Sequence, residues 1–377
     1  MKLLINAGHL KGSGVVQVSL SFIHETLNYR DVESLVLISP TIDGQIDKSK
    51  FPSNYKFVVI QQHPFFSISA PAIQLRLRKL EKSFGPDVVF SVFGPSYWTP
   101  KSPHVMGFAY PHIVYRDSPF FGTLSWLERR KIFLINYIRL YFLDRNGKNY
   151  VSETGDVSER LSRVLGKKKN YFVVGNTFSQ LYETNAYSKG KEVFNKRASS
   201  KEFLFLSLCT YMPHKNLAIL NKVIPLLNSY QINYKFILTI DDDEMHNFTE
   251  VAKKNIINLG RLKAEECPQI YREVDAVFLP TLLECFSANY PEAMKMEKPI
   301  LTSRLTFAVD ICKNAALYFD PLDPVEIASQ LLRVYSSSSL REDLIFRGRE
   351  VLKNFNRPDN RAQNYMNICY ELAGRKI

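Results

Sequence analysis

The sequence predicts an α/β protein of two doubly wound domains in tandem. Three observations carry that expectation. The 377 residues are more than one domain usually holds, at roughly 100–200 residues each. Strand and helix signals alternate through the first half, then begin again near residue 203. Several of the strands read as short apolar runs, which suits a parallel sheet covered on both faces.

The first series opens with Lys2–Asn6, an apolar run entering the glycine-bearing loop Gly8 to Gly14. A helical pattern follows from Val15 to about Tyr29. Ser34–Ser39 and Tyr55–Gln61 read as strands, Ala72–Phe84 as a basic helix, and Asp87–Val92 as a strand after Gly85-Pro86. Leu124–Arg145 reads as a long helix, and the stretch beyond it is less regular. The polar run Glu183–Lys201, with Lys189, Lys191, Lys196 and Lys201, reads as a linker. The second series runs through strands Phe203–Leu208, Tyr234–Ile240, Ile256–Leu259, Ala276–Leu279 and Pro299–Thr302. Its helices are Cys267–Val274, Pro291–Lys295, Pro324–Ser336 and Leu340–Asn354, with a loop and helix over His214–Asn228. The expected domains are therefore 1–182 and 183–354. A last helix, Asn360–Ala373, shows an apolar face of Tyr365, Ile368, Cys369 and Leu372 that suits packing back on the first domain. Two such domains facing each other would leave a crevice at the carboxyl ends of their strands, where open sheets bind ligands.

Composition narrows the function classes. Hydrophobic residues make up 45% and charged residues 23%, which excludes disordered, collagenous and multi-span membrane chains. The formal charge is +12, and it is uneven. Residues 1–180 hold 23 Lys and Arg against 13 Asp and Glu, while residues 181–377 hold 26 against 24. The basic half points to an acidic partner: phosphate groups, nucleic acid or an anionic membrane. Helix-turn-helix, zinc-finger and ribonucleoprotein signatures are missing, so nucleic acid is not the expected partner. The five cysteines are scattered and lack C-x-x-C spacing, which fits a reducing cytoplasm better than a disulfide framework or zinc. The apolar start Met1–Ile5 is too short for a signal peptide, and Ile132–Leu143 is too short and too polar to span a bilayer.

The chemistry concentrates in Leu279 to Met294. A buried strand ends at Pro280, a loop of small and polar residues follows, and a helix opens near Pro291. Glu284 lies just past the strand, and Glu292 falls in the first helical turn. A helix start offers free N–H groups to a diphosphate, and a carboxylate there can accept hydrogen bonds from vicinal hydroxyls. The plainer alternative is a solvated loop carboxylate beside one favoured by the helix dipole.

This stretch resembles the donor-site signature of retaining glycosyltransferase family 4, which has the GT-B fold of two facing Rossmann-like domains. The matching residues are Pro280-Thr281, Glu284-Cys285-Phe286-Ser287 and Glu292-Ala293-Met294. Leu259-Gly260-Arg261-Leu262, Asp275–Pro280, Lys298–Ser303 and Ala316–Pro324 resemble further family segments in the same order. The likeness is dense over about 203–340 and only in outline before that.

The resemblance implies a transferase that moves a sugar from a nucleotide-diphosphate-sugar to a hydroxyl with retention. By the same resemblance Glu292 binds the ribose, and Glu284 contacts the transferred sugar in a catalytic role. Backbone N–H groups around Phe286 and Ser287 hold the sugar or distal phosphate. Gly260, Arg261 and Leu262 approach the base, and Lys215 neutralises the leaving diphosphate. No cofactor and no metal are implied, since the nucleotide sugar is a substrate. The run Asp241–Glu244 reads as solvated carboxylates rather than a magnesium site.

Two positions depart from the family pattern. Thr210 stands where an Arg is usual five residues before the Lys, so Arg261 or a first-domain residue would have to replace that cation. Asp310 stands for a Glu in the helix after the Lys298–Ser303 strand, or that Glu is absent. These departures leave open an inactive scaffold in a glycan-assembly complex; a phosphorylase or epimerase on the same fold is a further alternative.

The first domain is expected to take the acceptor, a glycan on a membrane carrier. Gly12, in the first glycine loop, resembles family glycines that approach the donor phosphates. By the same resemblance His112, in Gly107–His112, is the candidate catalytic histidine near the sugar, with His9, His63 and His104 as rivals. The helix Leu124–Arg145 mixes Trp126, Phe133, Tyr137, Tyr141 and Phe142 with Arg129, Arg130, Lys131, Arg139 and Arg145. That mixture suits an interfacial helix at an anionic membrane. The expected location is cytoplasmic, peripheral at the inner face of the membrane.

Overall fold

The computed structural model describes residues 1–183 and 202–375, so the expected linker lies outside the described residues except for Glu183. The chain divides into two compact units. One comprises Met1–Arg116, Leu124–Gly175 and the chain from Asp359 on; the other comprises Asp117–Thr123 and Asn176–Pro358.

In the first unit the described strands are β1 (Lys2–Ala7), β2 (Glu33–Ile38), β3 (Tyr55–Val59), β4 (Val88–Ser91), β5 (His104–Phe108), β6 (Asn149–Ser152) and β7 (Asn170–Val173). They pair in parallel in the order β3-β2-β1-β4-β5-β6-β7. Chain order reverses between β1 and β4, which makes that edge the switch point of the sheet. Leu3, Ile5, Val36, Ile38, Val88 and Phe90 form the middle of its core. Each such side chain, once buried, contributes roughly 1.5–3 kcal/mol.

The stretch from 104 to 173 is more regular than its sequence suggests, holding three strands. β6 and β7 carry Asn149 and Asn170, which mask the apolar signal. Their side chains bond to each other, Asn170 Nδ2 donating to Asn149 Oδ1 at 2.7 Å, and Asn149 Nδ2 donates to the His104 carbonyl at 2.8 Å. Local signals set the helices of this unit. Ser125 and Glu128 form a reciprocal cap at the start of helix Trp126–Asn146, satisfying end groups the helix cannot bond internally. The helix Pro358–Leu372 belongs to this unit from Asp359 on. Its Tyr365 ring sits 5.6 Å from Phe22 and 5.3 Å from Phe90, and Ala362, Met366, Ile368 and Cys369 join the same core.

The second unit repeats the plan with β8 (Phe203–Ser207), β9 (Tyr234–Leu238), β10 (Ile256–Asn258), β11 (Ala276–Leu279), β12 (Ile300–Ser303) and β13 (Ala316–Phe319). The parallel order is β10-β9-β8-β11-β12-β13, so the reversal here falls between β8 and β11. Asp323 caps helix Pro324–Ser336 by accepting from Val325 and Glu326 N–H at 2.8 and 3.1 Å, with Pro324 in the first turn. Both units are thus Rossmann-like, each with a switch point at the carboxyl ends of two central strands.

Candidate active site

The loops after β8 and β11 leave the second unit's sheet at its switch point. After β8 the chain runs through Thr210 to a single tight turn, Pro213–Lys215. Asn216 ends that turn at φ 55°, a left-handed conformation that Asn tolerates. Its amide holds the turn by donating to the Pro321 carbonyl at 2.8 Å. After β11 the buried segment Pro280–Leu283 is stitched to the same turn, Leu282 N–H donating to the His214 carbonyl at 2.7 Å. Ser118 Oγ donates to the Leu282 carbonyl from the other side at 2.6 Å.

This stitching brings Lys215 and Glu284 together although they are 69 residues apart. The Lys215 ammonium donates to Glu284 Oε1, and the two side chains are only 16% and 14% exposed. Burial alone would push the Lys215 pKa down; the Glu284 carboxylate outweighs it, and the ammonium is held above its usual range. Cys209, beside the pair, is raised to about 11 by burial, with Lys215 lowering and Glu284 raising it. His214 is lowered to about 4 by burial and by the Lys215 charge, so it is neutral near pH 7.

Glu292 sits in helix Asn289–Lys295, which begins two residues earlier than Pro291 suggested. Its carboxyl is buried at 9% exposure. Tyr271 donates to Glu292 Oε2 and to Asn289 Oδ1, both at 3.3 Å, and Tyr182 hydrogen-bonds the same carboxyl. Asn289 is fixed in turn by donating to the Leu208 carbonyl at 2.9 Å. Burial raises the Glu292 pKa to about 7, against the lowering effect of the two tyrosines. A carboxyl poised there ionises readily once further donors arrive.

Between Glu284 and Glu292, the Phe286 and Ser287 amide N–H groups donate to nothing among the described residues. The Phe286 ring packs edge-on to Phe355 at 6.4 Å, which fixes the loop. Gly260 takes φ +71° after β10, in open space, so the turn needs glycine for its backbone angle. Arg261 beyond it is exposed and bound bidentately to Asp241, both contacts at 2.5 Å; Leu262 follows in the same loop. The Arg261 cation is thus already paired, and Thr210 brings none. Asp242 accepts from Asn258 Nδ2 at 2.9 Å. Among the described residues no group of three His, Cys, Asp or Glu is gathered to hold a metal. Asp310 pairs at 2.8 Å with Lys313 in the next turn.

In the first unit, Gly12 is the N-terminal cap of helix Ser13–Glu25, with its carbonyl accepting from Val16 N–H at 3.0 Å. A side chain there would touch only Val15. His112 is half-buried on the turn Pro111–Val114 after β5. His104 is a satisfied core histidine: its ring nitrogens bond Ser91 Oγ at 3.0 Å and the Asn146 carbonyl at 3.1 Å. The partners of Glu292 were not foreseen from sequence. Asn289 stands three residues before Glu292, a spacing that shares a helix face, and was legible in principle. Tyr182 and Tyr271 carry no such signal, because only the fold brings them in.

The sequence model of the family Glycosyl transferases group 1 matches residues 200–337. That stretch of the second unit resembles the group 1 glycosyltransferases, and the chain has the GT-B fold. Solved structures agree in fold at low identity. A glycosyltransferase from Rickettsia africae ESF-5 is 14% identical with a TM-score of 0.73, over 100% of this chain and 99% of that one. Anabaena Alr3699/HepE, in complex with UDP and glucose, is 13% identical with a TM-score of 0.71, over 98% and 99%. WaaG, a glycosyltransferase involved in lipopolysaccharide biosynthesis, is 11% identical with a TM-score of 0.71, over 98% and 99%. No curated protein matches the chain significantly.

Proposed function

We propose that the chain is a retaining family 4 enzyme, moving a sugar from a nucleotide-diphosphate-sugar to a hydroxyl of a glycan acceptor. The observation that carries this reading is the second unit's switch point, where a buried Lys215–Glu284 pair stands on adjoining loops and the poised Glu292 on the helix that follows. Lys215 takes the charge that builds on the departing diphosphate, so this step needs no resident metal or cofactor. Glu292 accepts from the ribose hydroxyls. The loop around Gly260, Arg261 and Leu262 lies along the base, and the free Phe286 and Ser287 amides bond the sugar or distal phosphate. Glu284, freed as Lys215 turns to the diphosphate, faces the sugar and stabilises its developing positive charge. The bond from the anomeric carbon to phosphate oxygen breaks while the acceptor oxygen bonds to that carbon on the same face. The acceptor proton passes to the departing phosphate, so no covalent enzyme intermediate forms.

A thermal-shift screen of UDP-, GDP- and dTDP-sugars tests the donor reading. Ligand at 100 times its dissociation constant stabilises the folded state by about 2.7 kcal/mol, so one nucleotide should raise the melting temperature by several degrees. No shift with any of them, at millimolar concentration, removes the reading.

The acceptor is proposed to sit on a lipid carrier at an anionic membrane. Helix Trp126–Asn146 supports this: Trp126, Leu127, Phe133, Leu134 and Tyr137 are each more than 60% exposed. Arg129, Arg130 and Lys131 stand exposed among them. No helix among the described residues is long and apolar enough to cross a membrane, so contact would be from the side. The protein should float with phosphatidylglycerol vesicles and not with phosphatidylcholine alone. Trp126→Ser with Phe133→Ser should cut recovery severalfold, and equal recovery with both lipids would count against the site.

A further inference from the structure

The first unit gathers, at its own switch point, a cluster that the donor chemistry does not use. His9 follows β1, His63 follows β3, Tyr97 follows β4 and Tyr110 follows β5; Arg139 reaches them from helix Trp126–Asn146. The His9 ring is 5.2 Å from Tyr97 and 5.7 Å from His63, and the His63 ring is 4.7 Å from Tyr97. The Arg139 guanidinium lies 4.6 Å over the Tyr110 ring and hydrogen-bonds Tyr97. Tyr97 and Tyr110 are also hydrogen-bonded to each other.

The polar atoms of this cluster are unevenly satisfied. His63 Nδ1 accepts from the Phe65 and Phe66 N–H groups, both at 3.0 Å, which leaves its ring proton on Nε2 as a donor. His9 is 8% exposed, and its Nε2 has no hydrogen-bond partner among the described residues. Arg139 Nε has none either. A buried polar atom without a partner is costly, so native proteins rarely keep one without a use. His9 feels the His63 ring and Arg139, and His63 feels Lys11 and Arg139, all acting in the positive sense. Burial, His63 and Arg139 lower His9 to about 3, and burial, Lys11 and Arg139 lower His63 to about 4, so both rings are neutral near pH 7. The cluster is therefore rich in donors, positively charged and walled by aromatic rings.

We infer that this cluster is an oxyanion subsite, in which Arg139, His63 and Lys11 hold a phosphate or carboxylate group of the sugar acceptor while His9 and Tyr97 bond its neighbouring hydroxyls. The inference rests on the reading that the first unit takes the acceptor. A neutral glycan would leave the Arg139 and Lys11 charges unanswered; an acceptor with an anion beside its reacting sugar answers both.

The test is calorimetric titration of the full chain with glucose 6-phosphate, glucuronate and glucose. Binding of at least one anion, with glucose roughly tenfold weaker or silent, is expected; the stronger anion identifies which group the site takes. Arg139→Gln and Lys11→Gln should each weaken that binding roughly tenfold, as losing a charged hydrogen bond does. Lys11 is exposed, so its variant keeps the test valid even if Arg139→Gln does not fold. Lys215→Met should leave the anion's affinity unchanged, while UDP, GDP or dTDP binding should survive Lys11→Gln. Glucose binding as tightly as the anions, or anion binding lost with Lys215→Met and kept with Lys11→Gln, would overturn the subsite. Failure of every nucleotide to bind the unaltered protein would instead overturn the donor reading.

Discussion

Lys215→Met is expected to reduce kcat/KM for sugar transfer by about two to three orders of magnitude, the usual cost of removing one preorganised group that stabilises transition-state charge. The reason is local. Lys215 is the cation the fold buries beside the strand ends, since Thr210 brings no charge and Arg261 is committed to Asp241. The same variant should lose stability, because Glu284 is left mostly buried without its partner. Breaking a buried pair costs roughly 3–5 kcal/mol, and residual exposure places this one at the lower end. Lys215→Met combined with Glu284→Gln separates the two effects. Removing both charges should recover most of the stability in urea denaturation and none of the activity. Activity returning with stability would mean that the pair serves folding alone. Glu284→Ala alone should also abolish transfer.

Stability and nucleotide binding should both respond to pH through Glu292, in opposite senses. Its carboxyl ionises near 4.5 when unfolded and near 7 when folded. Between those values the folded state holds more protons, so stability falls as pH rises across that window and levels off above it. The span corresponds to about 3 kcal/mol at most. Nucleotide binding runs the other way, since only the ionised carboxylate accepts from both ribose hydroxyls. Affinity for the bound nucleotide should climb from pH 6 to pH 8. Glu292→Gln should flatten both profiles and weaken nucleotide binding tenfold or more, and Glu292→Ala should abolish transfer while the fold persists. Full activity in the Glu292 variants would remove this residue from the donor site.

How legible the molecule was depends on the range of each interaction. The β11 strand, its loop and the Glu284 to Glu292 spacing are contiguous, and contiguous pattern is readable directly. Caps such as Ser125 with Glu128 and Asp323 before Pro324 are equally local. β6 and β7 escaped notice because each is four residues long and opens on an asparagine, Asn149 or Asn170, which shortens its apolar run. Those asparagines belong there for a reason no periodicity reports: their amides bond each other across neighbouring strands.

The pairing of Lys215 with Glu284, and the tyrosines that close over Glu292, belong to a different category. Residue type and order already carried the two-domain α/β plan and the resemblance of the donor-site segment, since strand, loop and helix signals need only near neighbours. Which charges meet, which are spent and which stay unanswered was decided by strand order. Parallel sheets join residues scores of positions apart at one edge. There burial sets whether a carboxyl titrates near 7, as Glu292 does, or whether His9 keeps an unpartnered nitrogen. Desolvation depends on everything packed around a group, so it exists only once the fold does.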